Sequence, residues 1–157
     1  MISHFGAGGA AVLLLCLPLL AAPAIALPHA SVVVETPHGR VQFNVEVAAD
    51  SQSRMRGLMF RAQLPADAGM LFDFPDDHFR AFWMKNTPLP LDMVFIRADG
   101  TISSISPDAK PMSEEPITSR EPVRAVLEIN GGRAAALDIR PGEKVHNSAF
   151  ANALPGQ

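Results

Sequence analysis

The residues with the clearest chemical potential are polar groups that directly follow an aromatic run. Residues 79–84 contain the only tryptophan of the chain, Trp83, and are followed by Lys85, Asn86 and Thr87. A lysine supplies a cationic donor, the amide and hydroxyl supply neutral hydrogen bonds, and the indole offers a flat face to a sugar or another planar group. Polar groups at the mouth of an apolar layer are typical of a binding site, and also of an ordinary strand end.

Two arginines add further donors to this set. Arg56 and Arg61 lie in one short segment, and guanidinium groups hold carboxylates or phosphates through paired hydrogen bonds. We therefore predict a pocket for a small anionic or sugar-like ligand, with Glu128 and Asn130 as rim partners. The predicted ligand-binding residues are Arg56, Arg61, Trp83, Lys85, Asn86, Thr87, Asp92 and Glu128.

A purely structural role explains the same residues without a ligand. Lys85 and the arginines could pair with Asp92, Glu128 or Asp73, because an unpaired cation in a partly buried site costs several kcal/mol. Trp83 could belong to the core, since burying one large apolar side chain stabilises a fold by roughly 1.5–3 kcal/mol. The methionines are interpreted as core filler rather than as a copper or cofactor site.

The usual signatures of an enzyme are missing from the sequence. There is no nucleophile elbow, no phosphate-binding loop and no zinc-protease motif. The cluster nearest to a metal site, Asp73, Asp76, Asp77 and His78, is interpreted as a solvated turn. We predict no metal and no cofactor, and whether the protein is an enzyme stays open.

Two other functions remain as alternatives to ligand binding. Asp92 or Glu128 could serve a hydrolase-type enzyme of the cell envelope, although nothing in the sequence singles out a pair of carboxylates. A structural or protein-interaction domain of the envelope is the other alternative, and it predicts an exposed apolar patch instead of a pocket.

Short strands must position these side chains. Apolar and polar residues alternate from Arg40 to Ala48, which predicts a half-buried strand in a hairpin with Ser31–Glu35. Further strands are predicted at Met70–Phe74, at Leu91–Ile96 and over residues 123–130. These elements indicate a mainly β fold, a small antiparallel β-barrel or sandwich with one or two short helices.

Three other segments complete the predicted architecture. Asp50 or Ser51 can cap a short helix that continues to Met59. Residues 79–84 read as a buried strand because they are almost entirely apolar. Residues 107–122 contain four prolines and little periodicity, so we predict a long loop that serves as a flap or an ordered wrap.

The amino terminus has the pattern of a secretory signal. An apolar run over residues 10–20 is followed by small residues, which predicts a signal peptide over residues 1–26, cleaved after Ala26. One domain then occupies residues 27–157, with its core at about 32–146. We expect a periplasmic or secreted protein without a membrane span in the mature chain; an uncleaved anchor is the alternative.

The composition of the chain disfavours some classes of partner and of chemistry. The net charge of −3 argues against a nucleic-acid partner, which would need a basic face. The single cysteine, Cys16, lies inside the predicted signal peptide, so disulfides and thiol chemistry are not expected in the mature domain.

Four motifs in order resemble a known family. The motifs are Arg56-Gly57-Leu58-Met59-Phe60-Arg61, Gly69-Met70-Leu71-Phe72, Phe82-Trp83-Met84-Lys85-Asn86-Thr87 with Pro90-Leu91-Asp92, and Leu127-Glu128 with Gly131-Gly132. They are similar to domain of unknown function, family 192, over about Val32 to Val145. One departure is Glu143, where the family pattern has Asp. The resemblance implies a compact β-rich domain, often behind a signal peptide, and no particular reaction.

Overall fold

The computed structural model describes residues 26–150 and 152–154, and the fold in this part of the chain is mainly β. The predicted signal peptide, apart from Ala26, lies outside the described residues. The strands are β1 (His29–Thr36), β2 (Gly39–Ala48), β3 (Ala68–His78), β4 (Ala81–Phe82), β5 (Leu91–Ile96), β6 (Ile102–Ala109), β7 (Ile117–Thr118), β8 (Val123–Asn130) and β9 (Val145–His146). The two short helices are α1 (Ser51–Arg56) and α2 (Arg133–Ala136).

Seven of these strands form one curled sheet in the order β6-β5-β8-β3-β2-β1-β9, while β4 and β7 form a separate two-stranded ribbon. The mainly β fold with two short helices is therefore confirmed. Every neighbouring pair is antiparallel except β2 and β3, which run parallel. A parallel pair needs a crossover connection, and residues 49–67, which include α1, supply it.

The sheet curls until its two edges meet at one end. Thr101, just before β6, bridges to Lys144, just before β9. The Ile102 amide donates to the Glu143 carbonyl at 2.9 Å, and the Val145 amide donates to the Gly100 carbonyl at 2.8 Å. The result is a half-barrel whose edges are joined at this end, so fewer backbone groups are left unpaired there.

The concave face of the sheet is filled by an apolar core. Along β2, buried Phe43 and Val45 alternate with exposed Gln42 and Asn44, as the period of two predicts. The core residues on this face are Val32, Val34, Phe43, Val45, Leu71, Val94, Ile96, Ile102, Ala125, Leu127, Ile129, Ala134, Ile139, Val145 and Phe150. The interior of the half-barrel is therefore packed with side chains.

The convex face carries a second apolar cluster over the middle strands. Met70 and Phe72 of β3, Met93 and Phe95 of β5 and Val126 of β8 pack there with Leu58 and Met84 from the connecting loops. All six residues of β5 are consequently buried. The loops that cover these strands also build the candidate site.

The aromatic run is not the buried strand that its composition predicts. Only Ala81 and Phe82 form a strand, and they pair with β7 outside the main sheet. Phe79 is 68% exposed and Trp83 is 47% exposed, so the interpretation of Trp83 as a core residue is wrong. An apolar run is buried on both faces only when a second layer covers it, and this ribbon lies at the surface.

Two loop boundaries also differ from the prediction. Helix α1 ends at Arg56 rather than at Met59, because Gly57 adopts a φ of +48° that a helix cannot continue. Strand β6 extends to Ala109 and β7 forms at 117–118, so the predicted proline-rich loop begins later and contains a strand of its own.

Candidate functional site

A pocket of about 520 Å³ opens on the convex side of the sheet, between α1, the end of β3 and the segment around β4. Aromatic, methionine and arginine side chains dominate its lining. The lining residues are Ser51, Arg54, Met55, Arg56, Gly57, Leu58, Met59, Phe72, Phe74, Phe79, Arg80, Ala81, Phe82, Trp83, Thr87 and Glu128. This size suits a small organic molecule.

Glu128 is a buried acid in this pocket. It lies in the middle of β8 and is 4% exposed, while its chain neighbours Leu127 and Ile129 face the inner core. Its partners across the sheet are Met70 on β3 and Met93 on β5. Glu128 therefore forms the floor of the pocket, in an apolar layer.

The Glu128 carboxyl group has no hydrogen bond or ion pair with any residue in the described part of the chain. Burial raises its pKa to about 8, so the group is mainly protonated and neutral at pH 7. A buried polar group without a partner costs free energy, and such groups occur where function requires them. Glu128 is thus a buried acid of the lining whose carboxyl group lacks a partner among the described residues.

Aromatic rings form the wall next to the floor. Phe72 and Phe82 meet edge to face with ring centroids 4.9 Å apart, and Phe74 meets Phe82 at 6.4 Å. Phe95 lies behind Phe82 at 6.3 Å and fixes it from the core side. This edge-to-face packing makes the wall rigid and apolar.

Two of the three arginines in the lining are already engaged. Arg54 donates to the Asp73 carbonyl at 2.9 Å, and its guanidinium lies 5.2 Å from the Phe74 ring centre. Arg80 donates to the Asp76 carboxylate at 2.7 Å and stacks on Phe74 at 3.9 Å. The Arg80 Nε is buried without an acceptor among the described residues. These two arginines therefore support the wall.

Arg56 is the cation that remains available. It is the last residue of α1, is exposed, and forms no ion pair with a described residue. The helix that carries it is fixed at its start, because the Asp50 carboxylate accepts from the Gln52 and Ser53 amides, both at 2.9 Å. The helix is thus capped at its first turn and carries an unpaired guanidinium at its opposite end, in the pocket lining.

Four residues of the predicted set line this pocket together: Arg56, Trp83, Thr87 and Glu128. Thr87 is 5% exposed, and its hydroxyl donates to the Lys85 carbonyl at 3.1 Å. The other four predicted residues lie outside the lining.

Three of those four have protein partners nearby. Arg61 forms a two-pronged pair with Glu46 at 2.5 and 2.7 Å, which lowers the pKa of that glutamate. Lys85 lies 3.6 Å from Glu114 and 5.0 Å from the Trp83 ring centre. The Asn86 carbonyl accepts from the Phe60 amide at 2.8 Å.

Asp92, the fourth, organises the backbone. It is fully buried on β5, and its carboxylate accepts from the amides of Asp108 at 2.9 Å, Gly132 at 2.9 Å and Ala134 at 2.7 Å. It thereby ties the end of β6 to the start of α2. A carboxylate that is saturated in this way is not available to a ligand.

Residues that the sequence reasoning missed are Phe72, Phe74, Phe82 and Arg80. A signal for the first two was present, because Phe72 and Phe74 are two residues apart and so share one face of a strand. Nothing in the local pattern placed that face against the segment that carries Phe82.

Exposed apolar side chains lie in the pocket lining and also in nearby segments outside it. Among the described residues, the large apolar side chains that are exposed are Met55, Phe60, Phe79, Trp83 and Met112. Phe60, Asn86 and Met112 all adopt positive φ values, of 63°, 54° and 61°. Backbone hydrogen bonds from Phe60 to Asn86 at 2.8 Å and from Met112 to Thr87 at 3.0 Å join their three segments. Bulky residues rarely hold this conformation.

The described residues contain no group of three or more His, Cys, Asp or Glu side chains that could hold a metal ion. Within the same part of the chain, no helix has the length and apolarity needed to cross a membrane.

Comparison with known proteins places the chain in a family. A crystal structure from Sinorhizobium meliloti 1021, described as that of a candidate transcription regulator, is 43% identical, with a TM-score of 0.79 over 82% of this chain and 100% of that one. A protein of unknown function from Novosphingobium aromaticivorans DSM 12444 is 41% identical, with a TM-score of 0.73 over 81% of this chain and 94% of that one. A search of curated proteins gives no match.

The family model described as an uncharacterised ACR matches residues 33–147, the part that holds the sheet and the pocket. The chain therefore belongs to domain of unknown function, family 192 (DUF192).

Proposed function

We propose that the protein binds a small ligand, without catalysis, in the pocket between α1 and β8. The ligand has an apolar or planar body and an anionic group. The observation that carries this proposal is the meeting of an aromatic wall with the unpaired guanidinium of Arg56 in one pocket. The body packs against Phe72, Phe82 and Trp83, and the anionic group binds Arg56 through charge-assisted hydrogen bonds.

The composition of the lining favours binding over hydrolysis. Glu128 is the single acid among the lining residues, whereas hydrolysis by paired carboxylates needs two. Asp92 does not supply the second, because three backbone amides occupy it. A nucleic-acid role is not part of the proposal either, since the net charge of the chain is −3.

The proposal can be tested by fluorescence, because Trp83 is the only tryptophan and the chain has no tyrosine. The probe is 3-phenylpropanoate, which combines an aromatic ring with a carboxylate. We expect it to change Trp83 emission and to raise the melting temperature. Arg56→Met should weaken the binding about tenfold or more, because the charge-assisted hydrogen bonds are lost.

Arg40→Met is the matched control. Arg40 is an exposed arginine on β2 that lies 3.6 Å from Glu35 and outside the pocket lining. The control should bind the probe as the wild type does. No response of the wild type to 3-phenylpropanoate, or equal binding by Arg56→Met, would contradict the proposal.

A second candidate function is favoured by two exposed apolar residues outside the pocket. Phe60 and Met112 lie outside the pocket lining, yet are 70% and 57% exposed. Aromatic residues, methionine and arginine are the side chains enriched at protein interfaces. An interaction domain of the envelope would need these two residues, whereas a small-ligand pocket would not. A Phe60→Ser, Met112→Ser variant that binds the probe normally but no longer supports the cellular role would favour the interaction domain.

We further propose that the protein is exported, on the basis of the apolar run at residues 10–20 and the small residues that follow it. The full chain is expressed in a bacterium and the mature protein is recovered for amino-terminal sequencing. We expect it to begin at Leu27 and to be found in the periplasm or the medium. Recovery of the protein from the cytoplasm with residues 1–26 still attached would contradict the proposal.

A further inference from the structure

The floor and the mouth of the pocket differ in the charge that they accept. The proposed function assigns an anionic group to Arg56, which is exposed. Glu128 lies at the floor and is 4% exposed. A second anionic group cannot bind beside a buried acid without repulsion or protonation. The two ends of a bound molecule must therefore have different chemistry.

The surroundings of Glu128 offer no partner for its carboxyl group. Met70 and Met93 flank it on the neighbouring strands. The charged groups that share the pocket are Arg54, Arg56 and Arg80, and none forms an ion pair or hydrogen bond with Glu128 in the described part of the chain. Burial alone raises its pKa, which agrees with the absence of a nearby protein cation. Its partner must come from outside the protein.

We propose, building on the proposed function, that the ligand is zwitterionic: a protonated amine binds Glu128 at the floor, the apolar body packs against the aromatic wall, and the anionic group binds Arg56. The geometry favours an amine over a neutral hydroxyl at the floor. An ammonium group is attracted both by the carboxylate and by the faces of aromatic rings, and Phe72 and Phe82 lie in the same lining.

The binding step involves one proton. Glu128 is mainly protonated in the free protein at pH 7. When the ammonium group arrives, Glu128 releases its proton to solvent and its carboxylate accepts an N–H hydrogen bond. A cation within 4–6 Å lowers a carboxyl pKa by roughly 1–3 units, so that roughly half to nearly all of the Glu128 carboxyl groups ionise at pH 7. A neutral ligand would leave the proton in place.

The test uses two probes of the same shape, 2-phenylethylamine and 2-phenylethanol. Calorimetric titrations at pH 7 in phosphate and in Tris, which have different ionisation enthalpies, measure the protons released. We expect the amine to bind about tenfold more tightly than the alcohol and to release roughly half to one proton. Glu128→Gln should lose both the preference for the amine and the proton release.

Two results would overturn the inference: the alcohol binds as tightly as the amine, or the amine binds without proton release. The wild-type measurements decide the matter even if Glu128→Gln does not fold. The 3-phenylpropanoate titration separates the two proposals. If that probe binds through Arg56 while the amine does not bind, the zwitterionic ligand is rejected and the anion pocket stands.

Discussion

Two buried carboxyl groups of this protein have opposite surroundings. Asp92 is fully buried and accepts three backbone amide hydrogen bonds. Glu128, the residue before Ile129, which pairs with Asp92 across β5 and β8, has no partner among the described residues. Backbone hydrogen bonds compensate for the burial of Asp92, whereas nothing in the described part of the chain compensates for the burial of Glu128. The first therefore contributes to stability, whereas the second reduces it.

Asp92→Ala should destabilise the protein strongly, because three buried amides lose their acceptor at once. We expect the free energy of unfolding to fall by roughly 3–5 kcal/mol, measured by urea denaturation. The control is Asp77→Ala, an exposed acid near the end of β3, which should change it by less than about 0.5 kcal/mol. A small effect of Asp92→Ala would mean that those amides find water or other acceptors.

Glu128 makes stability depend on pH. Its pKa is raised from 4.5 to about 8 on folding, so the native state retains a proton that the unfolded state loses. The contribution of Glu128 to the free energy of unfolding is fully present below pH 4.5. It is lost as the pH rises through 8, and the total loss is roughly 5 kcal/mol at most.

Glu128→Gln removes this titration. Urea denaturation at pH 5 and at pH 8.5 should show a much smaller loss of stability for Glu128→Gln than for the wild type over that interval. Parallel losses in the two proteins would show that Glu128 finds a partner in the folded state.

At the scale of elements, the connecting segments build the pocket and the sheet only supports it. Strand β8 supplies Glu128 and β3 supplies two phenylalanines, while α1 and the segment from Phe79 to Thr87 supply most of the remaining lining. Phe60 and Met112, in two other connecting segments, have positive φ values, and their large side chains are exposed to solvent. Stability alone does not select such residues.

Phe60→Asn should therefore maintain or raise stability. Asparagine tolerates a positive φ better than phenylalanine does, and the Phe60 side chain is 70% exposed. We expect a gain of up to about 1 kcal/mol in the free energy of unfolding. Phe43→Asn, in the inner core, is the contrasting control and should prevent stable folding. A loss of more than about 1 kcal/mol for Phe60→Asn would show that the exposed ring has a packing role.

An element could be predicted from the sequence where the spacing of its apolar residues reflects which of its faces is buried. Alternation over residues 40–48 correctly predicted a strand with one buried face. The prediction of a buried strand over residues 79–84 was wrong, because burial of an apolar run depends on whether another layer covers it. Likewise, Arg56 and Glu128 were assigned to one ligand site and do line one pocket. The partners of Arg61 and Asp92 could not be predicted, because they come from residues 15 positions or more away in sequence.

At the scale of the whole molecule, β8 is a well-protected inner strand. It pairs with β3 on one side and β5 on the other, and apolar clusters cover both of its faces. Strand β9, by contrast, has two residues and ends the sheet. The local free energy of opening should therefore differ widely between these two strands.

Amide hydrogen exchange measured by NMR should show this difference. Amides of Val126, Leu127 and Glu128 should exchange only through global unfolding, with the same free energy as urea denaturation gives. Amides of β9 should exchange at least about tenfold faster through local opening. Equal protection of β8 and β9 would mean that the joined edges make the half-barrel a single cooperative unit down to its last strand.

The packed interior of the half-barrel has a consequence for how fast a bound molecule comes and goes. Because the pocket lies on the convex side, a ligand that binds there as proposed would enter and leave past the exposed lining residues Met55 and Phe79, while every strand stays paired. The residence time of such a ligand would then depend only on its contacts with the pocket. Substitutions deep in the concave core, even ones that lower the melting point, should leave the dissociation rate unchanged.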